Sequence, residues 1–184
     1  MDKFGPTLII AAITLLVFAA MWWGWRRRSR RDLGLRVEHD IPGSLGVERL
    51  RFDAFYVATT VHERPLERLA IPGLGFRARA HLTVHDTGIV LELAGEPPVF
   101  VAAARIESAD RATTTIDRVV EPGGLIRLAW RIAASPAAQG EPGTTVDSYL
   151  RPIAPEAAAS FLQAITTIAP AAKVSQTQRK RGAA

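Results

Sequence analysis

Apolar and polar residues alternate through the middle of this chain, and the two ends depart from that rhythm in different ways. From Leu8 to Trp25 the run LIIAAITLLVFAAMWWGW carries no charge, and Arg26, Arg27, Arg28, Arg30 and Arg31 follow it within six positions. Eighteen helical residues rise about 27 Å, close to the roughly 30 Å of a bilayer core. The pattern predicts a transmembrane helix over 8–25 behind a short flank (1–7), with Trp22, Trp23 and Trp25 at headgroup level beside the arginines. A cleaved leader is the alternative, with Val17-Phe18-Ala19 as its small-residue site. The apolar run continues past that point into tryptophans and arginines, which argues for an uncleaved span. The arginine excess predicts a single-pass protein of the cell membrane, N-terminus outside and C-terminal domain cytoplasmic.

Residues 26–47 read as a basic juxtamembrane segment and linker, with a turn signal at Ile41-Pro42-Gly43-Ser44. Strand signals then begin. In FDAFYVATTV (52–61), Phe55, Val57, Thr59 and Val61 would share one face. Leu66 to Ile71 reads as a short strand between turns. The cleanest alternation sets Phe76, Ala78, Ala80, Leu82 and Val84 against Arg77, Arg79, His81 and Thr83. Asp86-Thr87-Gly88 turns the chain into a strand over 89–93. Further strands are expected at 98–102, 104–107, 112–116, 125–132 and 144–150, with Ile126, Leu128, Trp130 and Ile132 facing inward and Arg127 and Arg131 outward.

The period changes after Pro155. Ala158, Phe161, Leu162, Ile165 and Ile168 recur at helical spacing, and Pro170 ends the run. One amphipathic helix follows the strands, and residues 171–184 lack apolar periodicity, as a disordered basic tail would.

In this order of elements the chain resembles the pleckstrin-homology-like (PH-like) domains of actinobacterial single-pass membrane proteins. The residues that carry the resemblance are Phe55-Tyr56-Val57-Ala58-Thr59-Thr60, the stretch from Gly73 to Ala80, Thr115-Ile116-Asp117, Glu121-Pro122-Gly123-Gly124 and Trp130-Arg131. The resemblance implies a transmembrane helix followed by a mainly-β domain over 48–170. That domain would be a PH-like bent antiparallel barrel of about seven strands, capped by the C-terminal helix. The biochemical role of such proteins is largely unassigned.

Composition narrows the chemistry. The chain has no cysteine, which removes disulfides, thiolate metal sites and cysteine nucleophiles. The net charge of +5 sits at the ends. Between Asp32 and Ala172 thirteen arginines face seventeen acids, so the domain is mildly acidic and offers no basic surface for nucleic acid. The basic flanks suit an anionic inner leaflet.

The candidate sites each have a plainer explanation beside them. Arg64 and Arg68 lie where lipid-reading PH-like domains gather basic residues, but they alternate with Glu63 and Glu67 and suit solvated strand ends equally well. Asp117, Arg118 and Glu121 form the densest charged turn, either a ligand or partner contact or an ordinary hairpin. Asp86-Thr87-Gly88 is the tripeptide of aspartic proteases, and equally the Asp and Gly of a turn. His81 and His85 would sit about 13 Å apart on a strand, too far for one ion. Gly73-Leu74-Gly75 lacks the third glycine of a dinucleotide loop. No catalytic residue, metal or cofactor is expected. The function that follows is a membrane-anchored, non-enzymatic interaction or scaffold module facing the cytoplasm and binding a protein. A lipid or small-ligand binder at the inner leaflet is the second reading, and an enzyme the third.

Overall fold

The structure, a computed structural model, describes residues 4–32, 35–112, 114–115, 118–119, 124–134 and 143–175. In chain order the elements are α1 (Phe4–Asp32), β1 (Leu35–Arg36), β2 (Glu48–Val61), β3 (Ala78–His85), β4 (Gly88–Leu93) and β5 (Val99–Ala102). After a 3-10 turn (Ala103–Arg105) come β6 (Ile106–Ala112), β7 (Thr114–Thr115), β8 (Arg118–Val119), β9 (Leu125–Ala134) and β10 (Thr144–Pro152). The chain continues into α2 (Ala157–Ile168) and β11 (Lys173–Ser175).

The longest strand, β2, pairs with different neighbours along its two halves. Residues 48–56 pair antiparallel with β3, and residues 54–61 pair with β10. The register slips by one residue where Tyr149 faces Ala58 and Leu150 faces Tyr56, leaving Val57 as the extra residue of a bulge. A bulge reverses which face each later side chain takes. Phe52, Ala54 and Tyr56 point into the core, and beyond the bulge Thr59 and Val61 do so instead. The expected common face of Phe55, Val57, Thr59 and Val61 is therefore divided. Val57 packs with Ala58, Leu125 and Tyr149 in a second cluster on the opposite side of the sheet.

Nine strands form one sheet in the order β11-β6-β9-β10-β2-β3-β4-β5, with β1 also paired to β9, and β7 and β8 form a separate antiparallel pair. This corrects the barrel of about seven strands. The domain is mainly β with a C-terminal helix, but the sheet has more strands and its hydrogen-bonded path ends at two edges, β5 and β11. α2 sets Phe161, Leu162 and Ile165 into the opening between the two arms, and Phe161 meets Phe52 edge to face at 5.7 Å.

Several other expectations change. Leu66 to Ile71 is irregular rather than a strand, joined to β2 by an isolated bridge from Arg68 to Thr60. Phe76 precedes β3 and is 79% exposed. The strands expected at 104–107 and 112–116 are instead a 3-10 turn, β6 and β7. Residues 173–175, placed by sequence in the tail, form β11. The supposed linker belongs to the domain: Val37 is buried, Glu38 bridges to Phe100 and pairs with Arg105, and His39 bonds the Pro98 carbonyl.

The transmembrane expectation is overturned. Among the described residues no helix is long and apolar enough to cross a membrane. The single-pass topology and the inside-outside assignment fall with it. Ile9, Leu16 and Phe18 on this helix are exposed.

At the hairpin between β3 and β4, His85 pairs with Gly88, so Asp86 and Thr87 are the two loop residues. The Asp86 carboxylate accepts the Val47 amide at 2.9 Å and Arg49 Nε at 2.6 Å. These bonds, the amide first and the arginine second, hold its pKa below the ordinary carboxylate value. The Asp86-Thr87-Gly88 tripeptide therefore fastens the segment before β2 to a hairpin. A Cβ on Gly88 would stand 2.3 Å from the Val101 carbonyl oxygen, which is backbone and cannot yield. Gly88→Ala is expected to cost about 1–3 kcal/mol in urea unfolding, through a shift of midpoint at constant slope.

A chain of buried hydrogen bonds crosses the core. Trp130 Nε1 donates to Ser148 Oγ at 2.9 Å, and Ser148 Oγ lies 2.8 Å from Thr59 Oγ1. Thr59 Oγ1 is 2.8 Å from Tyr56 Oη, which is 2.8 Å from the Leu74 carbonyl. An indole can only donate and a carbonyl can only accept. Each hydroxyl proton therefore points one way, from Trp130 towards Leu74. Burial pushes the Tyr56 phenol up to about 12, and burial followed by the charge of Asp147 raises Tyr149 too. A raised phenol pKa leaves Tyr56's contribution to stability intact below about pH 10, the unfolded value, and removes it as pH climbs towards 12. These are the only two tyrosines in the chain. Absorbance at 295 nm should show less tyrosinate at pH 10 than a free phenol, which is half ionised there, and then rise together with unfolding.

Candidate functional site

Alternation along β9 predicts Arg127 in solvent, yet it is buried, with carboxylates of both neighbouring strands against it. Residue pairing brings Asp110 of β6 opposite Arg127 of β9. On the other side, Asp147 of β10 faces the small Ala129, which leaves room for the guanidinium to reach it diagonally. Arg127 Nε donates to Asp110 Oδ1 at 2.9 Å, its Nη2 bonds Asp110 Oδ2, and its Nη1 lies 3.5 Å from Asp147 Oδ2. Loss of water would lower the Arg127 pKa. The hydrogen bond and charge of Asp110, with the charge of Asp147, more than offset this and raise it.

Asp147 is the most buried of the three and gathers further partners. His62 Nδ1 lies 2.7 Å from its Oδ1, and the Glu63 amide donates to Oδ2 at 3.0 Å. Glu63 sits at φ 64°, a left-handed conformation that costs a side-chain-bearing residue about 1–2 kcal/mol. The bond from its amide to a buried carboxylate offsets that strain. The turn after β2 is thereby fixed to the sheet.

This cluster forms one wall of a groove of about 750 Å³. Arg131 and Glu107, paired at 2.6 Å, stand on its rim, and Thr145 also donates to Glu107. Lys173, Val174 and Ser175 of β11 form the far wall. The groove presents three basic side chains, Arg127, Arg131 and Lys173, and three acidic ones, Glu63, Glu107 and Asp110. Two smaller cavities, of about 380 and 330 Å³, lie on the outer face of β2, β3 and β4 around His81, whose Nδ1 is 2.7 Å from Asp53. Among the described residues no cluster of three His, Asp or Glu side chains could hold a metal.

The sequence-derived sites lie elsewhere. Arg64 pairs with Glu67 at 3.2 Å, and Arg68 donates to the Gly75 carbonyl at 2.9 Å, so both brace the loop after β2. Arg118 lies in β8 opposite Thr115, and Asp117 and Glu121 lie outside the described residues. Trp22 and Trp23 are exposed on α1, and the Arg26 guanidinium sits 5.4 Å over the Trp22 ring. The side chains of Trp25, Arg27, Arg28, Arg30 and Arg31 lie outside those described. What sequence reasoning missed is the set His62, Glu107, Asp110, Arg127, Arg131 and Asp147. Its members are scattered over 85 residues, and the signal that joins them is strand register, which no local motif carries.

Residues 32–166 match the bacterial PH domain-like family. No curated protein matches the chain.

Arg127→Met would leave Asp110 and Asp147 buried without their shared cation. A loss of about 3–5 kcal/mol is expected in chemical denaturation. Asp110→Asn added to Arg127→Met should recover part of that loss, since it removes one of the stranded charges.

Proposed function

The chain belongs to the bacterial PH domain-like family, and from that premise we propose that it is a non-enzymatic interaction module that binds a protein along the groove between β6, β9 and β11. The observation that carries this reading is the balance of charge in the groove. An inositol phosphate or a nucleic-acid backbone needs an excess of cations with free donors. Here the most buried cation, Arg127, is already bonded to Asp110, and Arg131 is paired with Glu107. Alternating signs around a polar depression instead suit a partner surface that carries both signs, where complementarity sets register and specificity. Arg64 and Arg68 of the loop after β2 are likewise bonded within the loop.

The test uses the full chain. A photoreactive residue at Arg131, on the groove rim, should crosslink in cells to a recurring protein. The same residue at Glu96, in the exposed turn after β4, should not. In parallel, titration with soluble inositol trisphosphate should produce no heat of binding. Saturable binding of that compound, weakened by Arg131→Ala, would move the reading to a lipid headgroup, and equal crosslinking from both positions would remove the groove.

A further inference from the structure

The far wall of the groove is built unlike the rest of the sheet. β11 pairs Lys173 with Ser108, Val174 with Ala109 and Ser175 with Asp110, and it runs parallel to β6, whereas the other described ladders are antiparallel. Its direction is imposed by its tether. α2 ends at Ile168, and a connection of four residues delivers the chain to β6. Parallel pairing is slightly the weaker kind, and this instance covers three of β6's seven residues. Lys173 and Ser175 are exposed, and Val174 alone in the strand packs on the edge of the core, over the fully buried Ala109. Beneath β11 lies a strand whose outer amides and carbonyls form a ready template for another strand.

We propose that the β6 edge is a strand-docking slot, held in the absence of a partner by the chain's own Lys173–Ser175. The occupant it fits is an extended segment of a partner protein, with a β-branched apolar residue between polar neighbours, as in Lys173-Val174-Ser175 itself. Such a segment has no tether to α2, so it can run antiparallel to β6. It can also pair along the whole strand and place its apolar residue over Ala109. Its polar flanks meet the mixed charges of the groove. Beyond its three-residue ladder and the contact of Val174, the resident strand is favoured by the high local concentration of a tethered segment. This rests on the reading of the groove as a protein-binding site, and it adds how the partner binds.

Three full-length chains decide it: wild type, Val174→Asp, and Ser108→Cys with Lys173→Cys, whose paired positions can be oxidised in a chain that has no other cysteine. The probe is a fluorescent peptide of sequence AAKVSQTQ, followed by polarisation. Val174→Asp should bind it at least about tenfold more tightly than wild type, because its own strand no longer competes. The oxidised double-cysteine chain should not bind it until dithiothreitol is added, and a peptide with Asp in place of Val should bind none of the three. If Val174→Asp keeps the tyrosine titration of the wild type and gains no affinity for the peptide, the slot is refuted. Disulfides between chains rather than within one would also refute it, since the occupant would then be a second copy. Crosslinks from the Arg131 position that survive oxidation would reject displacement and leave the groove standing. Loss of those crosslinks on oxidation supports it. Their absence from the wild type would reject the groove, while the peptide measurement still decides the slot.

Discussion

A strand that belongs to two arms of a sheet must turn and still keep its side chains on useful faces, and β2 solves this with one extra residue at Val57. Before it, Phe52, Ala54 and Tyr56 fill the space under α2. After it, Thr59 and Val61 take over the inner face, and Thr59 reaches both Tyr56 and Ser148. The polar chain from Trp130 to Leu74 is thus a product of the bulge. Without the change of face Thr59 would point outward, leaving the Ser148 hydroxyl proton without its acceptor inside an apolar core, at about 1–3 kcal/mol if unsatisfied.

The same geometry sets the outer face. Once β10 is aligned on β2 by that register, Asp147 stands beside Thr60, and His62 and Glu63 at the end of β2 come within reach of its carboxylate. Arg127 then bridges Asp147 to Asp110 and joins three strands and a turn in one buried ionic cluster. An ion pair of this kind adds little net stability relative to an apolar replacement, but it penalises any register that strands one of its charges. The groove owes its shape to this fastening, since one of its walls is made of the bonded residues.

Much of the domain was legible in local pattern. Alternation located β3 and β9, and flanking turn and loop signals located β4 and β10, to within a few residues, and the 3.6-residue period of Phe161, Leu162 and Ile165 located α2. The PH-like layout could be read from that order of elements, and residues 32–166 match the family. The errors have physical causes. Phe76 continued an alternation that the turn at 72–77 had not yet begun. Leu66 to Ile71 had strand composition but makes only an isolated bridge to β2, at Arg68. In the functional region, alternation cast Arg127 and Arg131 alike as solvated, and only Arg131 is exposed to water. The candidate residues Arg64 and Arg68 were found by proximity to a loop, whereas the groove depends on pairing across strands.

Sequence alone therefore determined what short-range sterics and periodicity control: where strands and the helix form, which turn residues bend the chain, that cysteine chemistry is absent, and that positive charge lies at the termini. Tertiary structure decided the open sheet, the change of face at Val57, the burial of Arg127 between two carboxylates, and the return of residues 173–175 to the edge of β6. Each of these depends on which strands become neighbours. A side chain's own position in the chain sets its direction from a strand, but the partner brought alongside from many residues away sets whether that direction leads to water, to a counter-charge or to a groove.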